Sequence, residues 1–345
     1  MNKIYIFGAG ASFGSQSEAG VDSHKKSPLT NDLFHIRYVN YAQNVGLSME
    51  DLNEYRSAID PTGLEKYLTD KWNAIETLKS RGTRQGEYGE FGRLTFYIWW
   101  MMQNISNMYN EENAYRKFIK KLKRKDENFS LISFNYDTFL DRAVQSVYHH
   151  SFVGSLSSYL ENDPPLIKPH GSVNWFLQKR QEDLIIDPNE QSFDYTVRID
   201  RASSLMFSGK PISMIGIRVV EPNHPDLNSL NFITSGKFNH QYFYPLVLIP
   251  LTTKLYPLIQ DFHETVIKKA VDVVSRAEEI YLIGYRAQDE VASDILNAAP
   301  NGTRLFIIGI DGSDKIESNV LADHKNLSKG KVFKDGFARF VELFN

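Results

Sequence analysis

The stretch Ile4-Tyr5-Ile6-Phe7-Gly8-Ala9-Gly10-Ala11-Ser12 decides the fold class, because an apolar run passes directly into a turn of small residues. The run predicts a buried first strand over Lys3–Phe7. Glycines let a backbone turn tightly and approach a pyrophosphate, whose charge is met by N–H groups at the following helix start. The predicted nucleotide contacts are Gly8, Ala9, Gly10, Ala11 and Ser12. The GxGxxxG spacing is unspecific by itself, and a purely structural tight turn stays open.

Other short apolar runs bounded by turn residues predict the remaining strands. They are Phe129–Phe134, Leu166–Lys168, Leu246–Pro250, Glu279–Tyr285 and Arg304–Ile310. Helical periodicity over Leu258–Ala277, between two of these runs, predicts a βαβ crossover. We therefore expect an α/β fold with a doubly wound, Rossmann-like parallel sheet.

Two segments are not needed to build a minimal sheet of this kind, and we interpret them as insertions. Residues 34–128 predict a large helical insertion, with helices at Asp51–Ile59, Gly63–Ser80, Leu94–Tyr109 and Asn113–Lys125. Residues 178–239 predict a smaller mixed β/loop insertion, with short apolar runs at Leu184–Ile186, Pro211–Val220 and Asn231–Thr234. We expect residues 1–345 to form a single domain that carries both insertions.

Composition excludes several classes of function. The net charge of -3 lacks the basic excess of a dedicated nucleic-acid binder. The chain has no cysteine, which excludes thiolate nucleophiles and cysteine-ligated zinc, so we expect no zinc module and no metal. The first residues carry no export leader, and the most apolar stretch, Leu94–Met102, is too short to span a membrane. We expect a cytoplasmic protein without a membrane segment.

Polar side chains follow the second and third predicted strands. Asn135 and Asp137 come directly after the run that ends at Phe134, and His170 precedes Gly171. The carboxyl ends of the strands of such a sheet face the ligand crevice, and histidine exchanges protons near neutral pH. These residues are therefore candidates for catalysis. Asp137 as the cap of the next helix and His170 as a structural histidine remain open.

Two later strands also end in glycine and polar residues. The first is followed by Gly284, Tyr285 and Asp289, and the second by Asp311. A carboxylate at a strand end is suited to adenosine hydroxyls, so these are candidate cofactor contacts. An ordinary strand exit is the alternative at both places.

The order of these motifs resembles the sirtuin-like NAD-hydrolase domain family of bacterial antiphage defence systems. The motifs are Gly-Ala-Gly-Ala-Ser at 8–12, Phe-Asn-Tyr-Asp at 134–137, Pro-His-Gly-Ser at 169–172 and Ile-Gly-Tyr at 283–285. The resemblance spans Ile4–Phe13, Ser27–Leu33, Leu131–Leu140, Lys168–Phe176 and Pro245–Asp311. It implies a sirtuin-like version of the predicted fold, with NAD as the substrate.

The resemblance also implies roles for individual residues. Asn135 would position the nicotinamide ribose and the attacking water, Asp137 would be its neighbouring acid, and His170 would be the base. The pyrophosphate would lie on Gly8, Ala9, Gly10 and Ser12, and the adenosine on Gly284, Tyr285 and Asp311, with Asp289 as a further contact. Alanine at Asn135 or His170 is expected to abolish nicotinamide release and leave folding intact. The missing four-cysteine zinc module argues against protein deacylation.

Alternatives from other functional classes stay open. A non-catalytic sensor would bind NAD or an ADP-ribose derivative without cleaving it. A dehydrogenase is a less favoured alternative, because the sequence shows no recognisable residues for hydride transfer beside the glycine turn. Because an unregulated NAD hydrolase would kill its host, we expect control by homo-oligomerisation or by a partner sensor protein. Nucleic acid would then act only through that partner.

Two further stretches have competing interpretations. The aromatic helix around Phe96–Met101 is a core helix or an oligomer contact. The basic run Lys120–Lys125 is a solvated helix end or a contact for phosphates.

Overall fold

The computed structural model describes residues 2–16, 26–62, 64–79, 87–125, 127–180, 196–197, 199–200, 203, 214–228, 241–248, 260–310 and 312–344. The chain divides into two compact units. Unit 1 comprises Met1–Leu29, Ile105–Gly171 and Asp261–Asn345, and unit 2 comprises Thr30–Asn104 and Ser172–Gln260. The single domain with two insertions stays a prediction.

The described residues form nine strands and twelve α-helices. The strands are β1 (Lys3–Phe7), β2 (Phe129–Ser133), β3 (Leu166–Ile167), β4 (Gly171–Arg180), β5 (Met214–Val219), β6 (Gln241–Val247), β7 (Glu279–Ile283), β8 (Thr303–Ile308) and β9 (Leu327–Phe333). The helices are α1 (Ala9–Ser15), α2 (Val39–Gln43), α3 (Met49–Thr62), α4 (Leu64–Lys79), α5 (Glu87–Ser106), α6 (Ala114–Lys125), α7 (Phe139–Tyr148), α8 (Ser157–Leu160), α9 (Gln260–Val274), α10 (Glu290–Asn297), α11 (Ser313–Asp323) and α12 (Gly336–Leu343).

The sheet of unit 1 has the strand order β3-β2-β1-β7-β8-β9, and all neighbouring strands are parallel. From β1 the chain reaches one edge through β2 and β3, then returns beside β1 at β7 and continues to the other edge. The prediction of a doubly wound parallel sheet is confirmed. The order reverses between β1 and β7, and the carboxyl ends of strands at such a switch point form the ligand crevice of these folds.

Continuous apolar sequence explains why the central strands are buried. Every residue of β7 is buried, and β1 is buried from Ile4 onward. Helix α6 covers β1 with an apolar stripe at helical spacing, Tyr115, Phe118 and Leu122, all fully buried. The Phe118 ring meets the Tyr5 ring edge-on at 5.1 Å. These contacts fix the carboxyl end of β1, where the glycine turn begins.

One predicted strand lies in a different sheet. The run at Leu246–Pro250 was expected in the parallel sheet, but the strand is β6, in a three-stranded sheet of unit 2 with the order β5-β4-β6. In this sheet β4 and β5 are antiparallel. The prediction was wrong because a short apolar run reports burial and does not report which sheet buries it.

Two strands had no prediction. Strand β4 carries Asn174 and Gln178 among its apolar residues, which breaks the apolar run. Strand β9 is the edge of the parallel sheet, where Lys329 and Lys331 alternate with less exposed positions. Charged residues are typical of edge strands, and they conceal the strand in the sequence.

The predicted helices of residues 34–128 correspond to α3, α4, α5 and α6, with ends that differ by up to seven residues. In the second predicted insertion, Pro211–Val220 contains β5, whereas Leu184–Ile186 and Asn231–Thr234 lie outside the described residues. No described helix is both long and apolar enough to cross a membrane.

The aromatic helix is a core element of unit 2. On α5, Phe96, Tyr97, Trp99 and Met101 are each at most 1% exposed. The indole N–H of Trp99 donates to the carbonyl of Val173 at 2.8 Å. The core interpretation therefore accounts for these side chains.

The basic run on α6 has structural partners. Lys121 Nζ donates to the carbonyl of Phe344 at 2.8 Å, just after α12, and Lys123 Nζ donates to the carbonyl of Val147 at 2.6 Å, in the last turn of α7. Cations in these places satisfy the open carbonyls at helix ends. These contacts account for two lysines of the basic run, and neither contact requires a bound phosphate.

Candidate functional site

The turns that follow β1 and β7 are joined by backbone hydrogen bonds at the switch point. The backbone N–H of Gly8 donates to the carbonyl of Ile283 at 3.0 Å, and that of Gly10 donates to the carbonyl of Gly284 at 2.9 Å. The two glycine turns therefore form one structural unit.

Close approach explains why glycine occupies these turns. A Cβ at Gly8 would lie 2.5 Å from Cδ2 of Tyr285, and a Cβ at Gly284 would lie 2.1 Å from the nitrogen of Ala11. Gly284 also has a φ of +58°, which side chains rarely adopt. A Cβ at Gly14 would meet nothing closer than Phe337 at 4.0 Å. Packing alone accounts for Gly8 and Gly284, so their contact with a nucleotide stays a prediction.

Only part of the first turn is accessible. Gly8, Ala11 and Ser12 are buried, whereas Ala9 and Gly10 keep some exposure. The N–H of Ala11 donates to the carbonyl of Gly8 at 2.9 Å. A ligand at this turn would therefore meet Ala9 and Gly10 first.

Asn135 joins the exit of β2 to the glycine turn. Its Nδ2 donates to the carbonyl of Gly8 at 2.9 Å, to Ser12 Oγ at 3.0 Å and to Tyr115 Oη at 3.3 Å. Among the described residues, the side-chain hydrogen bonds of Asn135 all run through Nδ2. The amide orientation is thereby fixed. The side chain is a structural partner of the turn, so alanine at this position is expected to lower stability as well as activity.

Tyr115 is a member of this cluster that the sequence did not indicate. Its hydroxyl lies 3.0 Å from Ser12 Oγ, and both side chains are fully buried. Burial raises the pKa of Tyr115 well above its ordinary value, so the group stays a hydroxyl. On the apolar stripe of α6 it is one buried residue among several, so the sequence alone does not distinguish it.

The carboxylate of Asp137 accepts a backbone hydrogen bond at the start of α7 and has a raised pKa. Oδ1 accepts from the N–H of Phe139, the first residue of α7, at 3.1 Å. Oδ2 is buried and has no hydrogen-bond partner among the described residues. Burial raises the pKa of Asp137, and the ammonium of Lys168 opposes that rise. The bond from Phe139 is an Asx turn just before Thr138, the N-cap of α7, and a catalytic role for Asp137 stays a prediction.

A buried ion pair supports the loop that carries Asp137. Lys168 Nζ lies 3.1 Å from Asp141 Oδ2, with both side chains fully buried, and also donates to the carbonyl of Asp137 at 2.7 Å. Tyr159 donates to Asp141 Oδ1 at 2.5 Å. The sequence alone does not indicate this pair, because its members lie on different elements.

His170 lies against the residue that precedes Asn135. Its ring meets the Phe134 ring edge-on at 4.9 Å. Burial lowers the pKa of His170 below its ordinary 6.5, and Asp289 opposes that shift. The imidazole is therefore neutral at neutral pH, the form that can accept a proton.

Asp289 and Tyr285 lie beside His170. Asp289 Oδ1 caps α10 by accepting from the N–H of Ala292 at 2.8 Å, and Oδ2 accepts from the hydroxyl of Tyr285. The Tyr285 ring stacks on Phe134 at 4.4 Å. Asp311 lies outside the described residues.

The site residues thus fall into two groups that share the Phe134–Asn135 backbone. One group is the glycine turn with Ser12, Tyr115 and Asn135, and the other is His170 with Tyr285 and Asp289. Within the described ranges, histidine and carboxylate side chains form no group of three that could hold a metal ion.

Comparisons with known proteins are limited to remote structural similarity. No protein-family model and no curated protein matches the chain. A Sir2 homologue in complex with NAD has 13% identity and a TM-score of 0.44, covering 99% of this chain and 87% of that one. A mutant Sir2 homologue in complex with ADP-ribose has 13% identity and a TM-score of 0.44, covering 99% and 89%. Sir2 bound to an acetylated peptide has 10% identity and a TM-score of 0.40, covering 99% and 90%. Values of this size do not establish membership of that family.

Proposed function

We propose that this chain is an NAD glycohydrolase that releases nicotinamide and ADP-ribose. One observation carries the proposal. A fixed amide, Asn135, and a neutral imidazole, His170, follow neighbouring parallel strands beside the glycine turn at the switch point. Dinucleotides bind at such switch points, and an amide with a base suits the activation of water.

The reaction breaks the bond between the ribose anomeric carbon and the nicotinamide nitrogen. The electron pair of that bond goes to the nicotinamide ring, which becomes neutral, and positive charge develops on the ribose as in other glycoside cleavages. Asn135 Oδ1 would accept a hydrogen bond from the attacking water or from a ribose hydroxyl. Its orientation is supported by the three hydrogen bonds of Nδ2.

His170 would take the proton of the attacking water. The water oxygen forms the new bond to the anomeric carbon, the proton passes to the imidazole, and solvent later receives it. Base catalysis of this kind contributes about 10² to 10⁴ in rate. Because burial lowers the pKa of His170, the imidazole is unprotonated at neutral pH and can accept this proton.

The test is product analysis with the full chain. Purified protein is mixed with NAD, and the products are separated by chromatography over time. Equal amounts of nicotinamide and ADP-ribose support the proposal. Retention of intact NAD by the protein would instead favour the sensor, and appearance of reduced nicotinamide would favour a dehydrogenase.

The biological role that follows is NAD depletion in antiphage defence by abortive infection. It is supported by the resemblance of the ordered motifs, and it requires a resting state that a trigger releases. That trigger is self-association or a partner sensor protein. Measuring NAD in infected cells that carry the wild-type or the His170→Ala gene tests this role. The proposed role would be contradicted if the cellular NAD concentration stayed constant during infection by every phage that the wild-type gene restricts.

A further inference from the structure

Asp289 lies where its charge acts on the proposed base. Asp289 Oδ1 is 3.8 Å from His170 Nε2, which is beyond hydrogen-bond reach and within the range of direct charge interaction. Both side chains are largely shielded, with 14% of His170 and 13% of Asp289 exposed. Solvent therefore screens this interaction less than it would a surface pair.

The carboxylate of Asp289 is held from two sides. The N–H of Ala292 donates to Oδ1, and the hydroxyl of Tyr285 donates to Oδ2. Tyr285 is in turn fixed by its stack on Phe134. Each oxygen of this carboxylate therefore already accepts a hydrogen bond from the protein, which fixes its orientation beside His170.

We propose that Asp289 is a positioning residue that stabilises the protonated form of His170 after proton transfer. The catalytic consequence rests on the proposed NAD hydrolysis. The interaction between the two side chains does not depend on it.

The surroundings of His170 leave Asp289 as its nearest charged partner among the described residues. Tyr136 has its ring 6.3 Å away. Lys168 directs its ammonium to Asp141 and to the carbonyl of Asp137. The carboxylate of Asp289 therefore opposes the effect of burial on the pKa of His170.

Asp289→Asn tests the proposal without removing the helix cap, because asparagine caps helices as well as aspartate does. Glu290→Gln is the matched control, since it removes the same charge from an exposed neighbouring residue of the same helical turn. Histidine-selective NMR titration of the full chain, with His170 assigned through a His170→Gln variant, reads the proton affinity directly.

The expected result is that Asp289→Asn lowers the proton affinity of His170 about tenfold, while Glu290→Gln leaves it unchanged. An unchanged His170 titration in Asp289→Asn would overturn the proposal. This readout stands even if the chain does not cleave NAD, so failure of the proposed function is recognised separately.

Kinetics give a second readout. With NAD as substrate, Asp289→Asn should lower kcat about tenfold at neutral pH, leave KM near that of the wild type, and move the acid limb of the rate profile to lower pH. A raised KM with unchanged kcat would show that Asp289 contacts NAD, which would contradict the proposal.

Discussion

Asn135 Nδ2 donates a hydrogen bond to the backbone carbonyl of Gly8 at 2.9 Å, although the two residues are 127 positions apart in the chain. This bond joins the exit of β2 to the exit of β1. It makes the orientation of a candidate catalytic amide depend on the conformation of the glycine turn. Stability and activity are therefore coupled at this point of the site.

Asn135→Ala should lower both stability and activity. The substitution removes the donor shared by Gly8, Ser12 and Tyr115 inside a buried cluster, so the free energy of unfolding should fall by about 1–3 kcal/mol. Nicotinamide release should be lost as well. Chemical denaturation and product analysis measure the two effects, and full activity in the folded variant would contradict the role of Asn135.

Tyr115→Phe tests whether the hydroxyl of Tyr115 positions Asn135. It removes one hydroxyl from the cluster and keeps the aromatic packing on α6, with an expected loss of about 1 kcal/mol in stability. Because the amide is then held less firmly, kcat should fall with little change in KM. A variant with wild-type kcat would show that Tyr115 does not position Asn135.

The glycines of the first turn should differ sharply. Gly8→Ala places a methyl group 2.5 Å from Tyr285, so the turns must separate, and soluble expression or the melting temperature should drop markedly. Gly14→Ala is the control, because its Cβ has room within α1. Alanine there should stabilise by about 0.5–1 kcal/mol. Equal effects of the two substitutions would contradict the packing account.

Lys168→Met should be strongly destabilising. It leaves Asp141 as an unpaired buried charge and frees the carbonyl of Asp137, with an expected cost of about 3–5 kcal/mol. Adding Asp141→Leu should recover part of this loss, because the buried charge is then gone. Denaturant midpoints of the single and double variants measure the coupling, and additive effects would contradict it.

The lowered pKa of His170 predicts acid sensitivity of the fold. Below the ordinary value of 6.5 the unfolded chain takes up a proton that folded His170 resists, so the free energy of unfolding should fall as pH drops from that value towards the lowered pKa. His150 and His324 act in the same direction, so the comparison is made against His170→Gln. An identical pH dependence in both proteins would show that His170 is not protected from protonation.

The predictable part of the site follows from local rules. Asn135 and His170 stood out because polar residues at the ends of apolar strands converge on one edge of a parallel sheet. The glycine turn stood out because small residues directly after a first strand permit a tight turn and a close approach of the backbone. Both signals are readable within about ten residues of sequence.

The unpredicted part depends on pairings between distant residues. Tyr115 meets Ser12 across 103 positions, and on its own helix it is one more apolar residue of the stripe. Lys168 and Asp141 pair only because the sheet brings β3 beside β2, the strand that leads into α7. Asp289 was expected to contact the cofactor, which stays a prediction, and its proximity to His170 was not foreseen. Strand order can be inferred from a sequence of this kind, whereas side-chain partners require the packed structure.

A single-turnover assay decides whether this chain cleaves NAD. The full chain in molar excess over NAD detects even slow cleavage by a resting protein, and nicotinamide and ADP-ribose are quantified over time. The account predicts both products in equal amounts with the wild type and none with a folded His170→Ala variant. Intact NAD throughout, or the same release rate from His170→Ala, would contradict it.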